Sequence, residues 1–373
     1  MTFDESRLNR LLDQRRSDNS LRQLRTTPEN LVDFSSNDYL GLSRSTPLRS
    51  RILKAYQEAG STRLGSTGSR LLTGTSDSAL ATESFLAQLF GSPSALLFGS
   101  GYMANLAFFS AVPLRGDTIF YDELSHACIK DGVRLSLAQH FPFRHNDLNH
   151  LERKLKEARG AVFIACESIY SMDGDFAPLK DLVVLAQKYG ARLVVDEAHS
   201  TGLFGNQGSG LVNALGLRNE VYAVIHTFGK AIGLHGACIT GSETLGEFLV
   251  NFARPFIYTT APGDFECLSI VEAFKHLQEQ PELLTALKHN IATFENRRKH
   301  AEGAQINQGP IQVVLCPGND QVKAKSLALR QLGFDVRPIL SPTVKAGSER
   351  LRICLHSFNT EVEINRLCNS LNS

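Results

Sequence analysis

A chain of 373 residues is long enough for two domains and a large core. Its 42% hydrophobic and 21% charged residues are ordinary for a soluble globular protein, and a formal net charge of +1 points to neither nucleic acid nor a membrane surface as a partner. No apolar run approaches a membrane span, the start Met1-Thr2-Phe3-Asp4-Glu5 is polar and unlike a signal peptide, and seven scattered cysteines without a CxxC pair argue against a disulfide framework or a zinc site, so a reducing cytoplasm fits best.

Leu8, Leu11, Leu12, Leu21 and Leu24, with arginines between them, predict a basic amphipathic helix over residues 6–24. Ser36-Asn37-Asp38 followed by Gly41 reads as a turn. Residues 47–59 read as a helix. The stretch 60–74 holds Gly60, Gly65, Gly68 and Gly74 among hydroxyls; its Leu64, Leu71 and Leu72 favour a site-lining loop over a flexible linker. A helix over 78–90 precedes a strand over 95–98 that ends in Gly99-Ser100-Gly101-Tyr102. Strand, glycines and then helix offer free backbone N–H groups and a helix dipole to a phosphate. The spacing matches neither GxGxxG nor a Walker A loop, so nucleotide binding is not indicated. The strand over 118–121 is followed by His126, and the strand over 161–166 leads to Ser171 and Asp173-Gly174-Asp175. That last tripeptide lacks the further ligands of a calcium loop and reads as a turn.

The richest stretch is 191–241. A short apolar run ends in Asp196-Glu197-Ala198-His199, glycines follow at 202, 205, 208 and 210, and a second run delivers His226-Thr227-Phe228-Gly229-Lys230. Such runs predict buried parallel strands, and ligands of open α/β sheets lie beyond the carboxyl ends of their strands. An amine, an acid for a pyridine nitrogen and a histidine near a phenolic oxygen together suit pyridoxal phosphate (PLP). Each residue alone has a bland reading: Asp196 as a helix cap, Lys230 as a solvated loop residue, His199 as a satisfied polar side chain. Four strand–helix alternations predict a mostly parallel, helix-covered sheet. Farther on, Tyr258-Thr259-Thr260 reads either as a strand end with capping hydroxyls or as part of a site. Residues 268–298 read as long helices, and 311–373 as short strands and helices. Arg352, inside an apolar strand, is either a surface residue or a fork for a carboxylate.

Val195-Asp196-Glu197-Ala198-His199-Ser200-Thr201-Gly202, with Thr227-Phe228-Gly229-Lys230-Ala231, resembles the α-oxoamine synthase family, and the similarity runs over about residues 22–352. The resemblance implies an α/β, fold-type I PLP-dependent transferase: a mostly parallel central sheet covered by helices, with a smaller α/β C-terminal domain. The expected division is an N-terminal segment 1–44, a large PLP-binding domain 45–280 and a small domain 281–373. By this resemblance Lys230 carries the cofactor as a Schiff base, Asp196 faces the pyridine nitrogen, and His126 stacks on the ring and serves acid/base steps. Gly101, Tyr102, Ser171, His199, Thr227 and Thr260 complete the cofactor site, Thr260 across a homodimer interface. Arg352, Asn37, Thr343 and Arg22 contact substrate, with Arg22 at the far carboxylate of an acyl chain. The implied reaction joins L-alanine to a pimeloyl thioester, carried on coenzyme A or acyl carrier protein, with loss of carbon dioxide. Glycine with an acetyl thioester, or serine with a palmitoyl one, is the alternative within the family. Two departures stand out: His235 where the family has a small residue, and Lys345 where it has Pro.

Overall fold

Apolar runs that end in polar residues become the centre of the larger of two units. A computed structural model describes residues 4–24, 26, 30–61, 63–298, 304–305 and 307–372. Residues 1–3, expected to be a polar start, and Thr62 of the glycine-rich loop lie outside the described residues. One unit comprises residues 40–171 and 176–284; the other comprises 1–39, 172–175 and 285–373.

The larger unit holds a seven-stranded sheet, in the order Ser94–Phe98, Ala237–Gly241, Ala223–Thr227, Arg192–Asp196, Val162–Glu167, Thr118–Asp122 and Gln139–Phe143. The strand Ala237–Gly241 runs antiparallel to both neighbours, and the other pairings are parallel. Side-chain alternation along each strand sorts residues onto two cores. Val194, Phe163, Ile225 and Ile119 pack with Phe108 and Phe109 on one face. Leu193, Val195, Ile164 and Val224 pack with Leu182 and Val183 on the other. Burial of each such side chain stabilises the fold by roughly 1.5–3 kcal/mol, so burial on both faces accounts for the unbroken apolar character of these strands. Gln139–Phe143 contains Pro142 and lies at the sheet edge, the position that tolerates a residue with no N–H to donate.

In the smaller unit, Arg337–Ile339, Arg350–Cys354, Ile311–Leu315 and Ala304–Gln305 form an antiparallel sheet. Val32–Asp33 pairs in parallel with Phe334–Asp335. The helices Asn319–Gln331 and Glu361–Asn372 belong to this unit.

The first helix corrects an expectation. It covers only Ser6–Ser17 and buries none of its side chains. Asn19 adopts a left-handed φ of 48°, and the N–H groups of Asp18 and Ser20 turn back to the carbonyls of Gln14 and Arg15. This is a helix-terminating turn, so Leu21, Arg22 and Leu24 belong to the irregular segment beyond it. The strand-end reading of Tyr258-Thr259-Thr260 also gives way: these residues follow a one-turn helix, Arg254–Ile257, that starts with Pro255 in its first turn. Among the described residues no helix is long and apolar enough to cross a membrane.

Candidate active site

Five strands of the larger sheet deliver polar residues at their carboxyl ends. Asp196 closes its strand and is 5% exposed. Its carboxylate accepts the Asn105 side-chain N–H at 2.7 Å and the Ala198 backbone N–H at 2.8 Å. Two donors orient the acid and leave further lone pairs for a third. Asn105, fully buried on the helix Gly101–Ala111, is a positioning residue that sequence patterns did not single out. Asn105 also donates to the Gly101 carbonyl at 3.1 Å, a contact that no sequence pattern announces.

Lys230 follows the strand Ala223–Thr227, and its Nζ lies 2.8 Å from His199 Nε2. Its loop is tied by the N–H of Gly233 to the Lys230 carbonyl, of Leu234 to that of Phe228, and of Phe228 to that of Gly236. Gly233 has φ +69°, and a Cβ there would collide with the Ser43 backbone, so glycine is required at this bend.

Gly101 begins its helix against Thr227. A Cβ at position 101 would sit 3.2 Å from the Thr227 Cβ and Oγ1, closer than packing comfortably allows. The missing side chain lets the helix start close against Thr227, while Ser100 caps the helix by accepting the Met103 N–H at 3.2 Å. A helix start of this kind favours an anion. Tyr102 donates its hydroxyl to Asp131 and meets His126 edge-on, with ring centroids 6.4 Å apart.

His126 opens the helix Ala127–Leu135. Its backbone N–H is held by Glu167 Oε1 at 2.6 Å. Glu167 ends its own strand in register with Asp196, so the same strand-end rule that singles out Asp196 also picks this acid. Burial pushes the Glu167 carboxyl up to about 8; Asp196 adds to the shift, and Lys230 and the His126 N–H oppose it. Glu167 is thus held towards the neutral form beside Asp196.

Glu197 and His226 have structural duties. Burial pushes Glu197 up to about 7. Its carboxylate takes the Val212 N–H at 2.7 Å and presses on Gly210, where no side chain would fit. His226 bonds Thr201 Oγ1 at 2.9 Å and Thr240 Oγ1 at 3.3 Å and stacks on Phe90 at 3.7 Å. Burial keeps this imidazole well below its ordinary value, hence neutral.

Ser171 is half-buried in the loop after Val162–Glu167. Thr260 is exposed and makes no hydrogen bond to the Lys230 cluster among the described residues. The glycine-rich loop is laced to Thr260's neighbour: Ser66 donates to the Ala261 carbonyl at 2.7 Å, and the Ala261 N–H donates to the Gly68 carbonyl at 2.9 Å. Arg70 anchors the loop through a buried two-pronged pair with Glu83, at 2.7 and 2.9 Å.

The smaller unit places Arg352 in a fully buried strand. The guanidinium donates to Asn37 Oδ1 at 2.9 Å, and the buried Tyr39 hydroxyl donates to the same oxygen at 3.1 Å. Its neighbour Arg350 pairs with Asp173. Arg22 is exposed and donates to Thr343 Oγ1 at 3.2 Å. The two border an open groove of about 510 Å³ with Arg15, Leu21, Pro338 and Leu340. His235, one of the two departures, is exposed.

A family model described as aminotransferase class I and II matches residues 29–371. The chain is 39% identical to 8-amino-7-oxononanoate synthase of Emericella nidulans, over 94% of this chain and 90% of that protein. Among solved structures, it is similar to 8-amino-7-oxononanoate synthase from Francisella tularensis, with a TM-score of 0.79 and 28% identity over 92% of this chain and 98% of that one. It is also similar to serine palmitoyltransferase from S. paucimobilis with PLP and myriocin bound, with a TM-score of 0.90 and 26% identity over 100% of this chain and 98% of that one.

Proposed function

The chain belongs to the aminotransferase class I and II family, in its α-oxoamine synthase branch, and on that premise we propose that it joins L-alanine to a pimeloyl thioester with loss of carbon dioxide, giving 8-amino-7-oxononanoate in biotin biosynthesis. The observation that carries the reading is the pairing of 39% identity, over nearly the whole chain, to a relative of that name with the placement of Lys230, His199 and Asp196 at adjacent strand ends. The donor set suits PLP: an amine, a buried oriented acid, and a helix start, packed closely on Thr227, whose first N–H groups favour a phosphate. When bound, PLP supplies an aldehyde for amines and a ring that withdraws electrons from the α-carbon.

The protein's own groups do the rest. Lys230 provides the amine that holds the cofactor and the base that moves the α-proton. Asp196 keeps a proton on the pyridine nitrogen. The N–H groups of Gly101 and Tyr102 bind the phosphate, with Ser171 and Thr227 assisting. His199 orients the Lys230 amine and donates towards the phenolic oxygen. Arg352, with Asn37, takes the amino acid's carboxylate. The protein works in the cytoplasm as a homodimer in which Thr260 completes the partner's phosphate site. Light scattering should give twice the chain mass, and mixed dimers of Lys230→Ala and Thr260→Ala chains should differ from either parent in PLP affinity. A monomer at working concentration removes this part of the reading.

A pimeloyl donor has a distal carboxylate that needs a cation, and Arg22 beside Thr343 is the candidate. Arg22→Leu should raise KM for a pimeloyl thioester and leave KM for alanine unchanged in initial-rate assays. Because Arg22 is exposed, the rise should be roughly 10-fold, the low end for a charge-assisted pair. A silent substitution would place the carboxylate elsewhere. The second reading, a long-chain acyltransferase acting on serine, is favoured by the higher structural similarity to serine palmitoyltransferase, 0.90 against 0.79, although the sequence identity runs the other way. A wild-type preference for palmitoyl over pimeloyl thioesters would select it.

A further inference from the structure

We propose that Cys128 and Glu167 are positioning residues that lock His126 as its neutral Nε2–H tautomer, so that the ring presents an N–H donor and not a proton shuttle. The proposal deepens the function given above and rests on it for the ring's place among the bound reactants.

His126 caps the helix Ala127–Leu135 with its own side chain: Nδ1 accepts the Cys128 backbone N–H at 3.3 Å. A backbone N–H can only donate, so Nδ1 must carry a lone pair. Cys128 Sγ lies 2.9 Å from the same nitrogen. The thiol is 3% exposed, and burial pushes its pKa far above the ordinary value, so it stays protonated and offers its S–H. Two donors on Nδ1 leave the ring proton on Nε2, which has no hydrogen-bond partner among the described residues. Glu167 fixes the other end of the residue through the His126 N–H. Together the two anchors set both the ring's place and its tautomer.

The surroundings also disfavour the imidazolium. Burial pushes the ring's pKa down; Asp196 and Asp131 oppose, while Lys230 and Lys130 reinforce the shift. Tyr102 stands edge-on to the ring, and Lys130 is itself tied to the Glu123 carbonyl at 2.7 Å. Among the described residues no carboxylate bonds the ring nitrogens directly, so the neutral form has no strong competitor.

The test is nitrogen NMR of histidine-labelled, PLP-loaded protein, with the His126 signal assigned by its loss in His126→Asn. Wild type should show the Nε2–H signature throughout neutral pH. Cys128→Ala removes one donor from Nδ1 and should raise the ring's pKa by about half to one pH unit, the effect of a single neutral hydrogen bond. Cys128→Ser keeps a donor and should shift it less. Glu167→Gln keeps an acceptor for the His126 N–H and should preserve the wild-type tautomer. An Nδ1–H signature, an imidazolium at neutral pH, or a Cys128→Ala ring that titrates like wild type would overturn the lock. If the Nε2–H signature holds but no acyl thioester reacts, the lock stands and the proposed reaction falls.

Discussion

Lys230→Ala should reduce acyl transfer by about 10³- to 10⁴-fold or more, because on the proposed mechanism one substitution removes both the amine that would hold the cofactor and the base that would move the α-proton. The loss should be chemical and not structural. The loop around position 230 is held by backbone hydrogen bonds among Phe228, Lys230, Gly233, Leu234 and Gly236, none of which uses the lysine side chain. The variant should therefore keep its thermal unfolding midpoint to within a few degrees. Reduction with borohydride in the presence of PLP should label wild type on the peptide that contains Lys230 and leave that peptide unlabelled in the variant. A label on another lysine, or a variant rate within tenfold of wild type, would defeat the assignment.

Asp196→Asn should cost on the order of 10²-fold or more in kcat while PLP remains bound. The carboxylate accepts from Asn105 and from the Ala198 N–H, one donor on each oxygen. An asparagine there has one acceptor oxygen and one amide nitrogen, so one of these two donors must lose its partner. On the proposed mechanism the side chain also loses the charge that would keep a proton on a pyridine nitrogen opposite. A change in the bound cofactor's absorption spectrum should accompany the fall in kcat, since protonation of the ring nitrogen alters its electronics. A near-normal rate would reduce Asp196 to a capping residue. Glu167→Gln provides the contrast: its carboxyl is already held towards the neutral form, so an amide of the same shape should disturb the rate far less.

The parts legible in the sequence share one physical cause. A strand buried on both faces must be apolar until it leaves the sheet, so its end is written as an abrupt change of residue type. That change marks Asp196, Thr227 and the Gly99-Ser100-Gly101 turn, and the structure brings Gly101 and Thr227 together. It also marks Glu167, whose use became visible only in its bond to the His126 N–H. Asn105 and Cys128 were not legible, because each lies inside a helix and acts through a partner distant in sequence or through a backbone atom. The end of the first helix was misplaced because leucine spacing continues past Ser17, while the left-handed turn at Asn19 depends on one residue's backbone preference. Gln139–Phe143 was not legible because Pro142 argues against a strand and Gln139-His140-Phe141-Pro142-Phe143 lacks the alternation that marks one. For Arg352, burial of the strand excludes the surface reading, whereas composition left both readings open.

The sheet order also governs when the protein can assemble. Ser94–Phe98 has only one neighbour in the sheet, Ala237–Gly241, and that strand in turn is its sole link to Ala223–Thr227. During synthesis, the segment leading to Gly101 must therefore wait, without a strand partner, until residue 241 has left the ribosome. Such a closure joins parts of the chain far apart in sequence, which is slow by nature and exposes an apolar edge in the interim. The junction where Gly101 meets Thr227 is thus among the last features of the larger unit to form.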